Sequence, residues 1–166
     1  MPLVSLSFLS SQQTKATDDT NKTLQRYLDY LFTFPNSTIM YTASDIVLWV
    51  HSNGAYLVEP NAKSRAGGYF FLSNFIKDLS KAAPKLNGSI HNLCIILKNI
   101  VSSTAECEIA AAFENGQDAT VIHYTLIEIG SLQPPTPIQV DNTTVKKFIE
   151  GTIRERHTKS IDIKYI

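Results

Sequence analysis

Cysteine is nearly missing: 166 residues carry two, Cys94 and Cys107. They lack CxxC spacing, so they build neither a disulfide framework nor a zinc site, and they read as small core residues of a reducing, intracellular compartment. An excess of either charge is also missing, with 15 Lys and Arg against 15 Asp and Glu. That balance argues against tight, autonomous nucleic-acid binding, though a local basic patch or a domain held on its substrate by a neighbour stays open. No apolar run approaches the ~20 residues of a membrane span. The opening "MPLVSLSFL" is apolar but has no basic flank and no cleavage site, so it is not read as a signal peptide, and no membrane partner is expected. What remains is 43% hydrophobic and 18% charged residues, enough apolar material for one cored domain with a short appendage.

Along the chain, residues 10–22 are polar and read as a loop. "KTLQRYLDYLFTF", 22–34, places Leu24, Tyr27, Leu28, Leu31 and Phe32 at helical spacing before Pro35 and Asn36. Three β-rich runs follow: 45–57, 64–74 and 89–100. The first is apolar on both faces and so central; Gly67 and Gly68 in the second suggest a bulge or a close backbone approach. Runs this close in sequence form an antiparallel meander. A helix spans about 103–129, with Gly130 as its terminating residue. A short strand, 138–144, and a short helix, 143–151, complete a β-β-β-α-β-α order, in which the long helix is a crossover that allows parallel pairing. The expected class is α/β.

The stretch "SSTAECEIAAAFENG", 102–116, sets two glutamates in an apolar helix. Glu106 fits a capping box begun by Ser103. It also borders the apolar stripe of Ala105, Ile109, Ala112 and Phe113, where an unpaired carboxylate is disfavoured. Glu108, with Ala111, Ala112 and Asn115, lies on another face that can reach solvent. Asp141 ends the short strand, either as the N-cap of the next helix or as a metal ligand at the carboxyl end of a strand. Asp162 is a further acid among apolar neighbours. Asn53-Gly54 is a turn dipeptide.

The stretches "HSNGAYL", "AKSRAGGYFFLS", "SSTAECEIAAAF", "IQVDNTT" and "HTKSIDIKY" together, in this order, resemble the ribonuclease H domain of copia-type LTR retrotransposon polyproteins. Members commonly show an S-D-A strand, an R-S-x-x-G-Y strand, an S-(T/A)-A-E helix, a D-N strand end and a T-K-x-(I/M)-(D/E) segment. The resemblance covers about residues 45–165. It implies a ribonuclease H-like α/β fold over 45–166, its mixed central sheet made of three antiparallel strands and then parallel strands, flanked by helices. Residues 1–44 then form a helical extension resembling the end of the preceding reverse transcriptase region. The implied partners are an RNA–DNA hybrid and the reverse transcriptase domain of the same polyprotein, with the chain itself a monomer. The implied chemistry is cleavage of the RNA strand by two Mg²⁺ ions, Mn²⁺ substituting, held about 3.5–4 Å apart. Carried over by motif, the ligand positions are Asn53, Glu106, Asp141 and Asp162. Substrate contacts fall on Ser52, Asn53, Gly54, Lys63, Arg65 and Asn142, with His157 a possible assistant in proton transfer.

Position 53 departs from that pattern. Relatives carry Asp where this chain has Asn, which keeps the shape and loses the charge that holds two divalent ions together. The expectation is therefore an impaired endonuclease; the alternative is a non-catalytic domain of the same fold that binds nucleic acid or protein. The bland reading of Lys63 and Arg65 is a solvated hairpin, and that of His157 a solvated histidine.

Overall fold

The computed structural model describes residues 2–78, 82–142, 145 and 147. The chain divides into two compact units, Met1–Ile39 and Met40–Ile166.

The first unit holds two helices, α1 (Pro2–Ser11) and α2 (Asp18–Thr33). Helix α2 starts four residues earlier than its apolar spacing suggests, because Thr17 caps it. Thr17 Oγ1 accepts from the Thr20 N–H, and the Thr17 N–H donates to Thr20 Oγ1. No residue of α2 is buried.

The second unit begins at residue 40 rather than 45 because the segment before the first strand is already tied into it. The Tyr41 hydroxyl donates to the Ser89 carbonyl at 2.9 Å, and the Thr42 N–H to Asn87 Oδ1 at 2.8 Å. The unit is an α/β layer built on a mixed four-stranded sheet in the order β3-β2-β1-β4. Strands β1 (Val47–Glu59), β2 (Lys63–Ser73) and β3 (Ser89–Ile96) form the expected antiparallel meander. Strand β4 (Ile138–Gln139) pairs parallel to β1 through Val50 and His51. It is two residues long, shorter than expected, and side-chain bonds continue its work. The Leu48 N–H donates to Gln133 Oε1, and Gln133 Nε2 donates to the Ile46 carbonyl. Beyond His51 no strand among the described residues pairs that edge of β1.

The Asn53-Gly54 dipeptide is not a turn. Strand β1 runs through it, with Asn53 opposite Gly67 and Gly54 opposite Ala66, and the chain reverses at Pro60–Ala62, where Asn61 and Ala62 have positive φ. A ladder flanked on both sides by β-formers outweighs a local turn preference.

Helix α3 (Thr104–Glu128) crosses from β3 to β4 and covers one face of the sheet. Ser103 caps its start, accepting from the Glu106 N–H at 3.1 Å. Its end is a Schellman motif: Gly130 at φ +95° donates to Ile127 O and Ser131 donates to Leu126 O, both at 2.9 Å. On that face Leu48, Val50 and Phe70 pack against Ala119 and Leu126, while Ala66 packs with Cys107, Ala110 and Ala111. On the other face Val47, Trp49 and Phe71 form a separate cluster with Tyr69 and Ile76. The helix expected over 143–151 falls mostly outside the described residues; Val145 and Lys147 are helical. No helix among the described residues is long and apolar enough to cross a membrane.

Candidate functional site

Strand β4 runs parallel to β1 and ends beside His51, so its carboxyl end opens onto the stretch of β1 that no fourth strand covers, much as open α/β sheets place their sites at carboxyl ends. Three elements meet there: β1 at Gly54, the first turns of α3, and the chain just after β4 at Asp141.

Gly54 makes the meeting close. A Cβ at this position would lie 2.8 Å from the carbonyl carbon and oxygen of Cys107 and 2.9 Å from the Glu108 nitrogen. The Cys107–Glu108 peptide therefore rests directly on the β1 backbone, a contact only glycine permits. Ser52, two residues earlier, points the same way; its Oγ accepts from Asn115 Nδ2 of α3 at 2.9 Å. Asn53 lies between them, so strand alternation puts its exposed side chain on the face away from α3.

Glu108, not Glu106, is the carboxylate at this edge. The expectation that Glu108 reaches solvent is overturned, since it is 4% exposed. Burial pushes its pKa up, the Gly54 N–H pulls it partly back, and the negative charge of Asp141 raises it further. Its Oε2 is buried without a hydrogen bond. The helical wheel assigned Glu108 to an open face shared with Ala111, Ala112 and Asn115, and all three of those are buried. The start of α3 is covered on several sides: by Ala66, Leu97 and Val101 on one, and by Val140 and Val145 against Ile109 on another. A helix apolar on several sides is buried on several sides, and from Cys107 to Ala112 every residue but Glu108 is apolar or small. That was the available signal.

Glu106 is also buried, at 2% exposure, but its Oε2 accepts from the Ser102 N–H at 2.6 Å and from Ser102 Oγ at 2.5 Å. This is a capping interaction displaced by one residue from the expected box. Asn53, Glu106 and Asp141 thus do not gather on one face with Glu108 turned away.

Asp141 is exposed, and the cap of the following helix is its neighbour: Asn142 Oδ1 accepts from the Val145 N–H at 3.4 Å. The N-cap reading of Asp141 therefore passes to Asn142. Asp162 and His157 lie outside the described residues.

The basic pair splits. Lys63 is exposed at the start of β2. Arg65 is 4% exposed, which corrects the solvated-hairpin reading. Its Nε bonds Glu59 Oε1 at 2.6 Å and its Nη1 donates to Cys94 Sγ at 3.3 Å. Burial alone would lower the guanidinium pKa, but the bonds and charges of Glu59 and Cys94 outweigh it and the net shift is upward. Arg65 closes the β1–β2 hairpin from inside rather than facing a substrate. Ser52 and Gly54 are likewise buried.

Two acidic side chains at one sheet edge, one of them buried with an unbonded oxygen, suit one hard divalent cation that keeps several waters. A two-ion cluster needs more. Among the described residues no group of three or more His, Cys, Asp or Glu could hold a metal. Comparisons with protein-family models, curated proteins and solved structures give no match to this chain.

Proposed function

We propose that residues 40–166 are a ribonuclease H-like domain of retroelement type, shaped for Mg²⁺-dependent hydrolysis of the RNA strand of an RNA–DNA hybrid and held at low activity because position 53 brings no acid to the site. The observation that carries this is the buried, hydrogen-bond-free Glu108 Oε2 beside Asp141, where β4 ends beside β1. An uncompensated carboxylate of this kind costs stability, and a cation at the site would offset that cost. Glu108 takes the ligand role that the resemblance gave to Glu106, and Asp141 keeps its own. A bound Mg²⁺ would supply an activated water and stabilise the leaving oxygen. Glu108 and Asp141 would hold one ion. A second ion has no further acidic ligand at this edge among the described residues, and position 53 brings none, because its side chain lies on the face of β1 away from α3. The reverse transcriptase extension over 1–44 and the hybrid partner rest on the same resemblance.

A second reading has its own support. The described residues hold only two acids at this edge, and Asn53 is neutral, which suits a non-catalytic domain that binds nucleic acid or protein. One experiment separates the two. Glu108→Gln and Asp141→Asn should each abolish the weak Mg²⁺-dependent cutting of the RNA strand expected of the parent chain, while hybrid binding persists. If the parent chain folds and binds hybrid yet cuts nothing in high Mn²⁺, the binding reading replaces the catalytic one.

A further inference from the structure

A fully buried amide sits in α3 two turns beyond Glu108. Asn115 is 0% exposed. Its Nδ2 donates within its own helix to the Ala111 carbonyl, across to Ser52 Oγ on β1 and across to the Gly67 carbonyl on β2, each at 2.9 Å. Three acceptors share two hydrogens, and Oδ1 has no hydrogen-bond partner. The room for that oxygen comes from Gly68: a Cβ there would lie 1.8 Å from Oδ1. A plain core position would not hold such an amide. An apolar side chain would fill the space without leaving Oδ1 unbonded.

Seven residues is about two helical turns, so Glu108 and Asn115 lie on nearly the same line along α3. Their strand counterparts, Gly54 and Ser52, are two apart on one face of β1. The pairs Glu108–Gly54 and Asn115–Ser52 are therefore two rungs between the same two elements. The first rung is a backbone contact that blocks closer approach, and its one directional element, the Gly54 N–H on the Glu108 carboxylate, acts through a side chain that can swing. The second rung is directional, because the amide must meet acceptors on two strands at once.

We infer that Asn115 is a positioning residue that sets the slide and rotation of α3 on β1, and so places the Glu108 carboxylate at the Gly54 N–H and beside Asp141. The inference rests on reading Glu108 as a cation ligand, and residues that orient a ligand from behind commonly control metal affinity by 10–100-fold.

The test uses the full chain with three variants: Asn115→Leu, which keeps the branched shape and loses the bonds; Ser52→Ala, which removes one acceptor; and Leu126→Ala, a packing loss in the far half of α3. Two quantities are read: Mn²⁺ affinity by calorimetry, and the metal-free amide shift and hydrogen exchange of Gly54 by NMR. Asn115→Leu should weaken Mn²⁺ binding roughly tenfold or more and displace the Gly54 resonance. Ser52→Ala should do both to a smaller degree. Leu126→Ala, with a comparable loss of melting temperature, should do neither. If Asn115→Leu does not fold, Ser52→Ala decides. A Gly54 amide that stays in place in the folded Asn115 or Ser52 variants, or that moves as far in Leu126→Ala, overturns the inference. If the parent chain binds no Mn²⁺, the cation reading fails by itself, and the Gly54 amide still decides the positioning role.

Discussion

The two halves of α3 pack on the same sheet by different means. From Ala119 to Leu126 the helix meets Leu48, Val50 and Phe70 through apolar side chains. From Thr104 to Asn115 it approaches so closely that its backbone touches Gly54, and it buries two carboxylates and an amide. The far half is packed as a hydrophobic core is, and burial of that kind drives folding. The near half places charge out of water and loses stability by doing so. A structure selected for stability alone would fill the near half as it fills the far one. The near half therefore holds groups that stability alone does not explain.

The sharpest way to break the contrast is Gly54→Ala. The new methyl would meet backbone atoms that cannot swing aside, and we expect a loss of more than about 3 kcal/mol, seen as failure to fold or as a large drop in denaturation midpoint. Next is Leu126→Ala, expected to cost about 2–3 kcal/mol in chemical denaturation through the cavity it leaves, without touching the site. Glu106→Ala strips the acceptor from Ser102 at the start of the helix and should cost about 1–2 kcal/mol. Glu108→Gln is the smallest and has the opposite sign. Because burial raises the Glu108 pKa, the folded chain keeps a proton that the unfolded chain releases. Stability therefore falls as pH rises above the ordinary glutamate range, until the folded-state pKa is passed. Glu108→Gln should flatten that fall, raising the melting temperature by roughly 2–4 °C at neutral pH and leaving it nearly unchanged below about pH 4.5. Calorimetric melts across pH check this.

Where local rules governed, the sequence was readable. Ser103 and Gly130 mark the ends of α3 because caps are local chemistry. Strands β1 to β3 follow from β-branched and aromatic runs, and the crossover allowed a parallel strand without saying that it would join β1. The site was less readable. Asp141 was legible as lying at the carboxyl end of a short strand, though β4 stops two residues before it. Glu108 was not, because a helical wheel assumes one buried face and the first turns of α3 have several. Arg65 looked like a hairpin cation because Glu59 and Cys94, its buried partners, lie 6 and 29 residues away. Gly54 looked like half of a turn because nothing local says that a helix from 53 residues further along will rest on it.

The central claim is that the carboxylate serving this edge is Glu108 and not Glu106. Mn²⁺ titration calorimetry of Glu106→Gln, Glu108→Gln and Asp141→Asn beside the parent chain tests it most directly. The expected result is one weak site in the parent, lost in Glu108→Gln and in Asp141→Asn, and kept in Glu106→Gln despite its lower stability. Binding that survives Glu108→Gln and disappears with Glu106→Gln would contradict the claim.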